Sequence, residues 1–180
     1  MCPQLDKHHA LNMKTKMKLS RYLLIIASTA CLSSHATAQV GAPKSSDDRV
    51  ERILRAAELK YEIDKDGDFK LINSLDAGRS QLVFINSNTS KLGTLEIRKV
   101  WSVGFVADDL TPAQLRKLLE ANENVKLGAW LITKMSDKSL AIFSAQIAAD
   151  TDKTSLLLAL QAVTETADNM EKEITGKDDR

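Results

Sequence analysis

The sequence predicts an α+β fold in which an antiparallel sheet packs with helices, in the order α-β-β-β-β-α-β-β-α. Short segments of alternating apolar residues are separated by turn residues, which is typical of antiparallel strands. A complete helix-start motif interrupts these segments at Leu110–Leu115, and a long helical stripe follows them at Leu156–Ile174. Neighbouring strands in this order favour an α+β class, with helices that cover the sheet.

The first helix is predicted directly after a short tether at residues 39–45. Ser46 can act as its N-cap, and two aspartates follow at the positive end of the helix. Apolar residues then recur every three or four positions, which places them on one helical face. These residues are Val50, Ile53, Leu54 and Ala57.

A β-hairpin is predicted around Asp66-Gly67. A two-residue turn would scatter the apolar residues over both faces, whereas a three-residue loop, Asp66 to Asp68, sets Ile63 opposite Leu71. The sequence therefore favours the odd-length loop with a bulge. The residues that would share one face are Tyr61, Ile63, Phe69 and Leu71. A second turn, Asp76 to Arg79, leads into the strand SQLVFIN.

The alternating aspartates Asp64, Asp66 and Asp68 could also begin a calcium-binding loop. An EF-hand loop would need glycine at its sixth position, where Phe69 stands, and a bidentate glutamate at its twelfth, where Leu75 stands. Both requirements fail. Aspartate and glycine are also the residues that tight turns prefer, so we interpret the stretch as the tip of the hairpin.

The longest predicted strand is LEIRKVWSVGFVA, at residues 95–107, joined to the preceding strand by the loop 88–93. One face carries Leu95, Ile97, Trp101, Val103 and Phe105, and the other carries Glu96, Arg98, Val100, Ser102, Gly104 and Val106. Large aromatic residues favour core positions for Trp101 and Trp130. The alternative is an exposed protein-binding patch, for which Val100, Val106 and Trp130 are the candidates.

The second helix has a complete start signal. Thr111 is the predicted N-cap, Pro112 is the first helical residue and Gln114 completes the capping box, while Leu110 and Leu115 form the hydrophobic staple. The residues expected to face the core are Leu115, Leu118 and Leu119, and Asn122–Asn124 is the expected end. Two strands, GAWLITKM and SLAIFSAQIA, follow and are joined by a turn at 136–138.

The last helix carries a continuous apolar stripe. Its members are Leu156, Leu160, Val163, Ala167, Met170 and Ile174. Its acidic residues are Glu165, Asp168, Glu171 and Glu173, and a spacing of three brings carboxylates together. Because helices of this kind usually keep a charged face in water, we interpret these carboxylates as a solvated face and not as a catalytic pair.

Residues 1–38 are predicted to form a secretory signal peptide. Basic residues precede the apolar run YLLIIASTACL, and Ala36 and Ala38 are placed for cleavage after Ala38. The run is shorter than the about 20 apolar residues that span a membrane, so no membrane span is predicted. The single domain at 46–180 is therefore expected in the periplasm or outside the cell.

Two alternatives concern this segment. The residues before Met13 look foreign to a signal peptide, so translation is expected to start at Met13 or Met17. In addition, STAC resembles a lipobox in which Cys31 would carry a lipid anchor.

The predicted cleavage removes every cysteine and histidine of the chain, namely Cys2, Cys31, His8, His9 and His35. Disulfides, Cys/His zinc sites, cysteine nucleophiles and Ser-His-Asp triads are therefore excluded for the mature domain. Cleavage also removes five of the 25 basic and one of the 24 acidic residues, which leaves a net charge of −3. Without a basic block, no nucleic-acid partner is predicted.

Five motifs in their order resemble a known family: RILRAAELKYEIDKDGDFKL, GRSQLVFIN, IRKVWSVGF, LLEANENVKLGAW and ALQAVTETADNMEKEITGKD. They are similar to the YbjN-like bacterial family, described as sensory transduction regulators, over residues 48–179. The resemblance implies a fold like that of type III secretion chaperones. It also implies no catalytic residues and no cofactor. The chain differs from cytoplasmic members by its signal peptide.

We therefore expect a non-enzymatic, periplasmic or secreted protein-binding module, chaperone-like or regulatory, which could form a homodimer. No residue is assigned as catalytic, cofactor-binding or metal-binding. The alternative is a periplasmic protein that binds a small ligand or a cation through carboxylates. An enzyme would need a buried pair of titratable residues, and the sequence offers no such pair.

Overall fold

The α+β class is confirmed in the computed structural model, which describes residues 45–178. Its helices are α1 (Asp48–Ala56), α2 (Pro112–Ala121) and α3 (Lys153–Thr175). Its strands are β1 (Glu62–Ile63), β2 (Phe69–Ser74), β3 (Ser80–Ile85), β4 (Ser90–Leu92), β5 (Leu95–Ala107), β6 (Ala129–Met135) and β7 (Lys138–Ala148). The predicted signal peptide, with Cys31, lies outside the described residues.

All seven strands form one antiparallel sheet in the spatial order β1-β2-β3-β5-β7-β6, and β4 pairs with β5 beyond the end of β3. The predicted element order lacks one strand, because β4 lies in the segment that the sequence indicates as a loop. This strand has three exposed residues and little apolar character, so no local pattern identifies it.

The described helices pack on one face of the sheet. The core between the two layers contains residues from α1 and α3, from the central strands and from the edge strand β6. Its largest contributors are Leu54, Phe69, Leu71, Ile85, Val100, Trp130, Phe143, Leu156 and Leu160. The fold is therefore a two-layer structure with a helix-covered face and a face that no helix of residues 45–178 covers, which we call the uncovered face.

The opening hairpin turns one residue earlier than the sequence predicts. Ile63 pairs with Phe69, not with Leu71, and the N–H of Asp64 donates to the carbonyl of Asp68 at 2.9 Å, so the three-residue loop is Lys65 to Gly67. The Asp64 carboxylate accepts hydrogen bonds from the backbone N–H groups of Asp66 (2.8 Å) and Asp68 (3.0 Å). Gly67 has a φ of +82°, which glycine adopts without strain. The Asp64 side chain thus holds the hairpin tip together, and the predicted register is wrong.

The helix starts follow local chemistry. Asp47, and not Ser46, caps α1, since its carboxylate accepts the N–H of Arg49 at 2.9 Å. The capping box of α2 is confirmed, because Thr111 and Gln114 exchange side-chain-to-backbone hydrogen bonds. These contacts satisfy N–H groups that have no partner within a helix.

Helix α2 buries less of its apolar surface than predicted. Leu118 is buried, but Leu115 and Leu119 are 40% and 73% exposed, so the expected core positions of those two leucines are wrong. The cause is position: α2 lies beside the edge strand β6, where only one stripe of the helix reaches the core. Asn122 ends the helix within the predicted segment.

Helix α3 confirms the predicted stripe. Its first five members are buried, and Ile174 packs partly against the core. The helix ends at Gly176, which adopts the left-handed conformation with a φ of +67°. Within residues 45–178, no helix is sufficiently long and apolar to cross a membrane.

Candidate functional site

A β-bulge in β5 changes which residues the strand presents to each face. The pairing of β5 with β7 shifts between Val103 and Phe105, so Gly104 is an extra residue in the strand. A Cβ atom at Gly104 would lie 2.6 Å from the Trp130 ring, so only glycine lets that ring pack against the backbone. Phe105 consequently lies in the core, on the face opposite Trp101 and Val103, contrary to simple alternation.

The bulge helps to determine which residues of the predicted exposed patch are exposed. Val106 is 54% exposed, as expected for a surface residue. Val100 and Trp130 are buried on the helix-covered face, so their assignment to an exposed patch is wrong. The strand alternation before the bulge turns Val100 inward, and the contact with Gly104 places Trp130 in the core.

Apolar side chains cross the uncovered face from one side of the sheet to the other. Ile72 of β2 pairs with Leu82 of β3, and Val103 of β5 pairs with Ile142 of β7, which pairs in turn with Leu131 of β6. Directly paired residues point to the same face. Because β3 and β5 also pair in register, the five side chains form one row. We call this row the apolar belt.

The apolar belt is accessible along much of its length. Ile72 is 72% exposed and Leu131 is 37% exposed at its two ends, Leu82 and Val103 are half-buried, and Ile142 is buried. Neighbouring strands lie about 4.8 Å apart, so five strands make the belt about 19 Å long. At its β2 end, the belt opens into a hollow of about 720 Å³ that Leu59 and Lys60 help to line.

An aromatic pair lies beside the apolar belt. Phe84 and Trp101 pair across β3 and β5, and their rings stack with centroids 4.3 Å apart. The Lys99 ammonium lies 5.3 Å from the Trp101 ring, and the indole N–H donates to Asn86 Oδ1 at 2.7 Å. Trp101 is therefore half-buried on the uncovered face and not in the core. Because Phe84, Lys99 and Asn86 engage its ring and N–H, this indole supports the surface and is not a platform for a planar ligand.

The acidic residues of α3 do not form the predicted solvated face. Glu165 and Glu173 are exposed, but Asp168 and Glu171 are buried, and Glu171 retains only 1% of its accessible surface. For this pair the prediction is wrong. The position of a residue within α3 does not show which helical turn of α3 lies against the connection between β2 and β3.

Arg79 explains the burial of these two carboxylates. Its Nε donates to Asp168 at 2.7 Å and its Nη2 to Glu171 at 3.1 Å. Its Nη1 donates to the carbonyl of Lys177 at 2.8 Å, beyond the end of α3. One guanidinium thus joins the turn before β3 to the last turns of α3. This ionic group stabilises the contact between the two segments, and its two carboxylates are not arranged as a proton-transfer pair.

A second ionic group lies where α1 meets β5. The buried Arg98 donates to Asp47 at 2.6 Å, and Arg49 bonds both Asp47 and Glu96. The hydrogen bonds from Arg49, and then that from Thr89, lower the pKa of Glu96 to about 2. The pKa of Asp47 lies well below its usual range, chiefly because Arg49 hydrogen-bonds to its carboxylate. This group was not predicted from the sequence, although Arg98 on a face shared with Val100 is a signal for it.

These ionic groups do not form a cation site. In both groups the carboxylates face arginine, which holds them by charge and by hydrogen bonds. Among residues 45–178, no three His, Cys, Asp or Glu side chains are grouped so that they could hold a metal ion. The apolar belt is therefore the candidate functional site.

No protein-family model matches this sequence, and no curated protein matches it.

Proposed function

We propose that this chain is a non-enzymatic protein-binding module that presents its apolar belt to a protein partner. The observation that carries the proposal is the row of five paired side chains on the face that the described helices leave uncovered. Exposed apolar surface of this extent is typical of interaction sites. The carboxylates of the buried ionic groups, by contrast, are bound by arginines within the fold.

The partner segment that suits the belt is an amphipathic helix. A sheet face buries its apolar residues against a helix or a second sheet. A belt of about 19 Å matches about 13 residues of helix at 1.5 Å per residue. Lys99 lies on the same face beside the belt, so an acidic residue on the flank of the partner helix would meet a positive charge.

We further propose that the module works outside the cytoplasm, after cleavage at Ala38, and belongs to the YbjN-like family. The three agreeing regions of the predicted signal peptide support the location. The order of five motifs over residues 48–179 supports the family. The alternative, a small-ligand or cation-binding protein that uses carboxylates, gains no support from the arginine-bound carboxylates.

The test is site-specific photo-crosslinking in the periplasm. A photoreactive amino acid at Val106, which is 54% exposed beside the belt, should capture a partner. The same amino acid at Leu158, an exposed residue of α3 on the helix side, is the matched control and should capture nothing. Mass spectrometry of the linked peptide should identify a segment with helical apolar periodicity and an acidic flank.

A second variant separates a specific site from general stickiness. Leu131→Asp places a charge in the belt at an exposed position, so it should abolish capture while the fold is retained. Equal capture from Val106 and Leu158, or capture that survives Leu131→Asp, would contradict the proposal. Small-molecule ligands that raise Tm while no protein is captured would favour the alternative function.

A further inference from the structure

The two outer strands of the sheet differ in how their free edges are protected. β1 has only two residues, and charged or turn residues surround it, which is a common protection against edge-to-edge pairing. β6 has seven residues, pairs with β7 on one side, and has no other strand beside it in residues 45–178. It carries one lysine and no proline, and Ile132 and Met135 are exposed.

The hydrogen bonds of β6 show which backbone groups face its free edge. The N–H of Trp130 donates to Asn122 Oδ1 at 2.7 Å, so it points away from β7. Backbone groups alternate in direction along an antiparallel strand. Ile132 and Lys134 therefore also present their N–H and C=O groups to the free edge. Asn122 closes this edge at Trp130 and leaves it open from Ile132 to Lys134.

Helix α2 adds apolar surface above the same edge. Asn122, which reaches the edge, shares one helical stripe with Leu115 and Leu119, seven and three residues before it. Both leucines are exposed. Lys117 lies on the opposite flank, where it pairs with Glu173 of α3. The exposed leucine stripe is thus on the outer side of the helix, next to the open edge of β6.

We propose that the open edge of β6 pairs with β6 of a second copy of this chain, antiparallel and centred on Thr133. In this register Ile132 faces Lys134 of the partner subunit, and the two residues exchange backbone hydrogen bonds on each side of the two-fold axis. Leu131 faces the partner's Met135 on the uncovered face. Thr133 faces the partner's Thr133, a pair of β-branched residues that favours strand association.

The proposed register follows from which backbone N–H and C=O groups of β6 are available at its free edge. A pairing centred on Ile132 would need the N–H of Trp130, which Asn122 already accepts. A pairing centred on Lys134 would place two lysines opposite one another, and like charges in that position are destabilising. The Thr133 centre uses the four free groups of Ile132 and Lys134 on each copy and covers the exposed Leu131 and Met135. A second copy therefore fits this edge better than an unrelated strand without that symmetry.

The pairing would have a consequence for the apolar belt. The two-fold axis of an antiparallel strand pair stands perpendicular to the sheet, so the uncovered faces of both copies lie on the same side. The belt ends at Leu131, which is at the new junction. Both belts would then reach the same junction, where Met135 of the other copy continues each of them and the two Leu131 ends lie four residues apart along the strands.

The first test is the mass of the full chain in solution. The chain of 19.8 kDa should elute as a species of twice that mass. Ile132→Pro removes an N–H that points away from β7, so the hairpin keeps its bonds while the dimer loses two. This variant should raise the dimer dissociation constant at least about tenfold, since about 1.4 kcal/mol corresponds to that factor. Circular dichroism should show an unchanged fold.

Lys91→Pro is the matched control. Lys91 lies in the edge strand β4, where the two-residue turn after Leu92 makes Leu92 and Leu95 the hydrogen-bonded pair, so the N–H of Lys91 also points outward. This proline should leave the dimer intact. A wild-type chain that remains monomeric, or a dimer that Ile132→Pro leaves unchanged, would overturn the proposal.

The second test reads the register directly. With Cys2 and Cys31 replaced by serine, Thr133→Cys should form a disulfide-linked dimer on mild oxidation, because the Cα atoms of such a pair lie about 4.5 Å apart. Ser90→Cys, on the exposed edge strand β4, should not. Leu131→Cys alone should not either, since its copies lie four residues apart in this register. Linkage through Leu131→Cys and not Thr133→Cys would overturn the proposed pairing.

Discussion

The two faces of the sheet use apolar residues in opposite ways. On the helix-covered face, Leu71, Val83, Val100 and Phe143 are buried together with two arginine-centred ionic groups. On the uncovered face, the neighbouring positions Ile72 and Leu82 form part of the apolar belt and remain accessible. The comparison shows that the buried charges of this protein stabilise its own architecture, while its accessible apolar residues are available to another molecule.

The largest expected effect is on the covered face, at Arg79. Arg79→Leu removes the guanidinium from Asp168 and from Glu171, which is 1% exposed. Removing one side of this ion pair should lower the free energy of unfolding more than the changes described below, because Glu171 keeps its charge in a buried position without the guanidinium. Urea denaturation measures the loss. The double variant Arg79→Leu/Glu171→Leu should recover part of the lost stability. A single variant as stable as wild type would contradict the stabilising role of Arg79.

The next effect comes from the apolar layer of the same face. Leu71→Ala leaves a cavity among residues that are closely packed, because Leu71 is buried under the helices. The expected loss is about 2–5 kcal/mol, from lost transfer free energy and the cavity. Thermal unfolding followed by circular dichroism checks it. A loss below about 1 kcal/mol would show that this layer is less well packed than described.

A pH dependence is expected where α1 meets β5. The pKa of Glu96 is lowered from its ordinary value of 4.5 to about 2 by Arg49 and Thr89. A carboxyl group whose pKa is lower in the folded than in the unfolded chain stabilises the fold fully at pH values above its unfolded pKa. This contribution is lost as the pH falls from about 4.5 towards 2. Glu96→Gln should therefore be less stable than wild type at pH 7, and the difference should disappear near pH 2. A difference that is the same at both pH values would point to lost packing and not to charge.

The smallest expected effect is on the uncovered face. Ile72→Ala removes three carbon atoms from a side chain that is 72% exposed, next in sequence to the buried Leu71. Stability should change by about 0.5 kcal/mol or less, whereas partner capture through the apolar belt should fall. The same denaturation and crosslinking assays measure both. A large loss of stability would mean that Ile72 contributes to the core, and the contrast between the faces would then be weaker.

Local patterns in the sequence predict the helices well. The Thr111 capping box and the α3 stripe are complete within short windows, so the structure confirms both. The hairpin register is wrong because one hydrogen-bonding side chain, Asp64, holds the loop one residue earlier than predicted. β4 escapes prediction because strand pairing, and not the residues themselves, defines it.

The candidate site is less predictable than the fold. Val106 is the only one of the three suggested patch residues that the structure exposes. The belt depends on which strands lie side by side, and sequence spacing does not give the spatial order β3-β5-β7-β6. Arg98 and Glu171 acquire their partners from distant segments, so alternation or helical periodicity could not reveal their burial.

The bulge at Gly104 acts on β5 as a one-residue frameshift acts on a reading frame. Before the bulge, even-numbered residues such as Val100 face the core, and after it the odd-numbered Phe105 does so. Deleting a single residue here would leave the composition of the strand almost unchanged. It would nevertheless straighten the strand and remove the backbone against which the Trp130 ring packs, while Phe105 would still face the core and Val106 the solvent. Relatives of this chain should therefore keep the Gly104 bulge and the Trp130 ring together, or lose both.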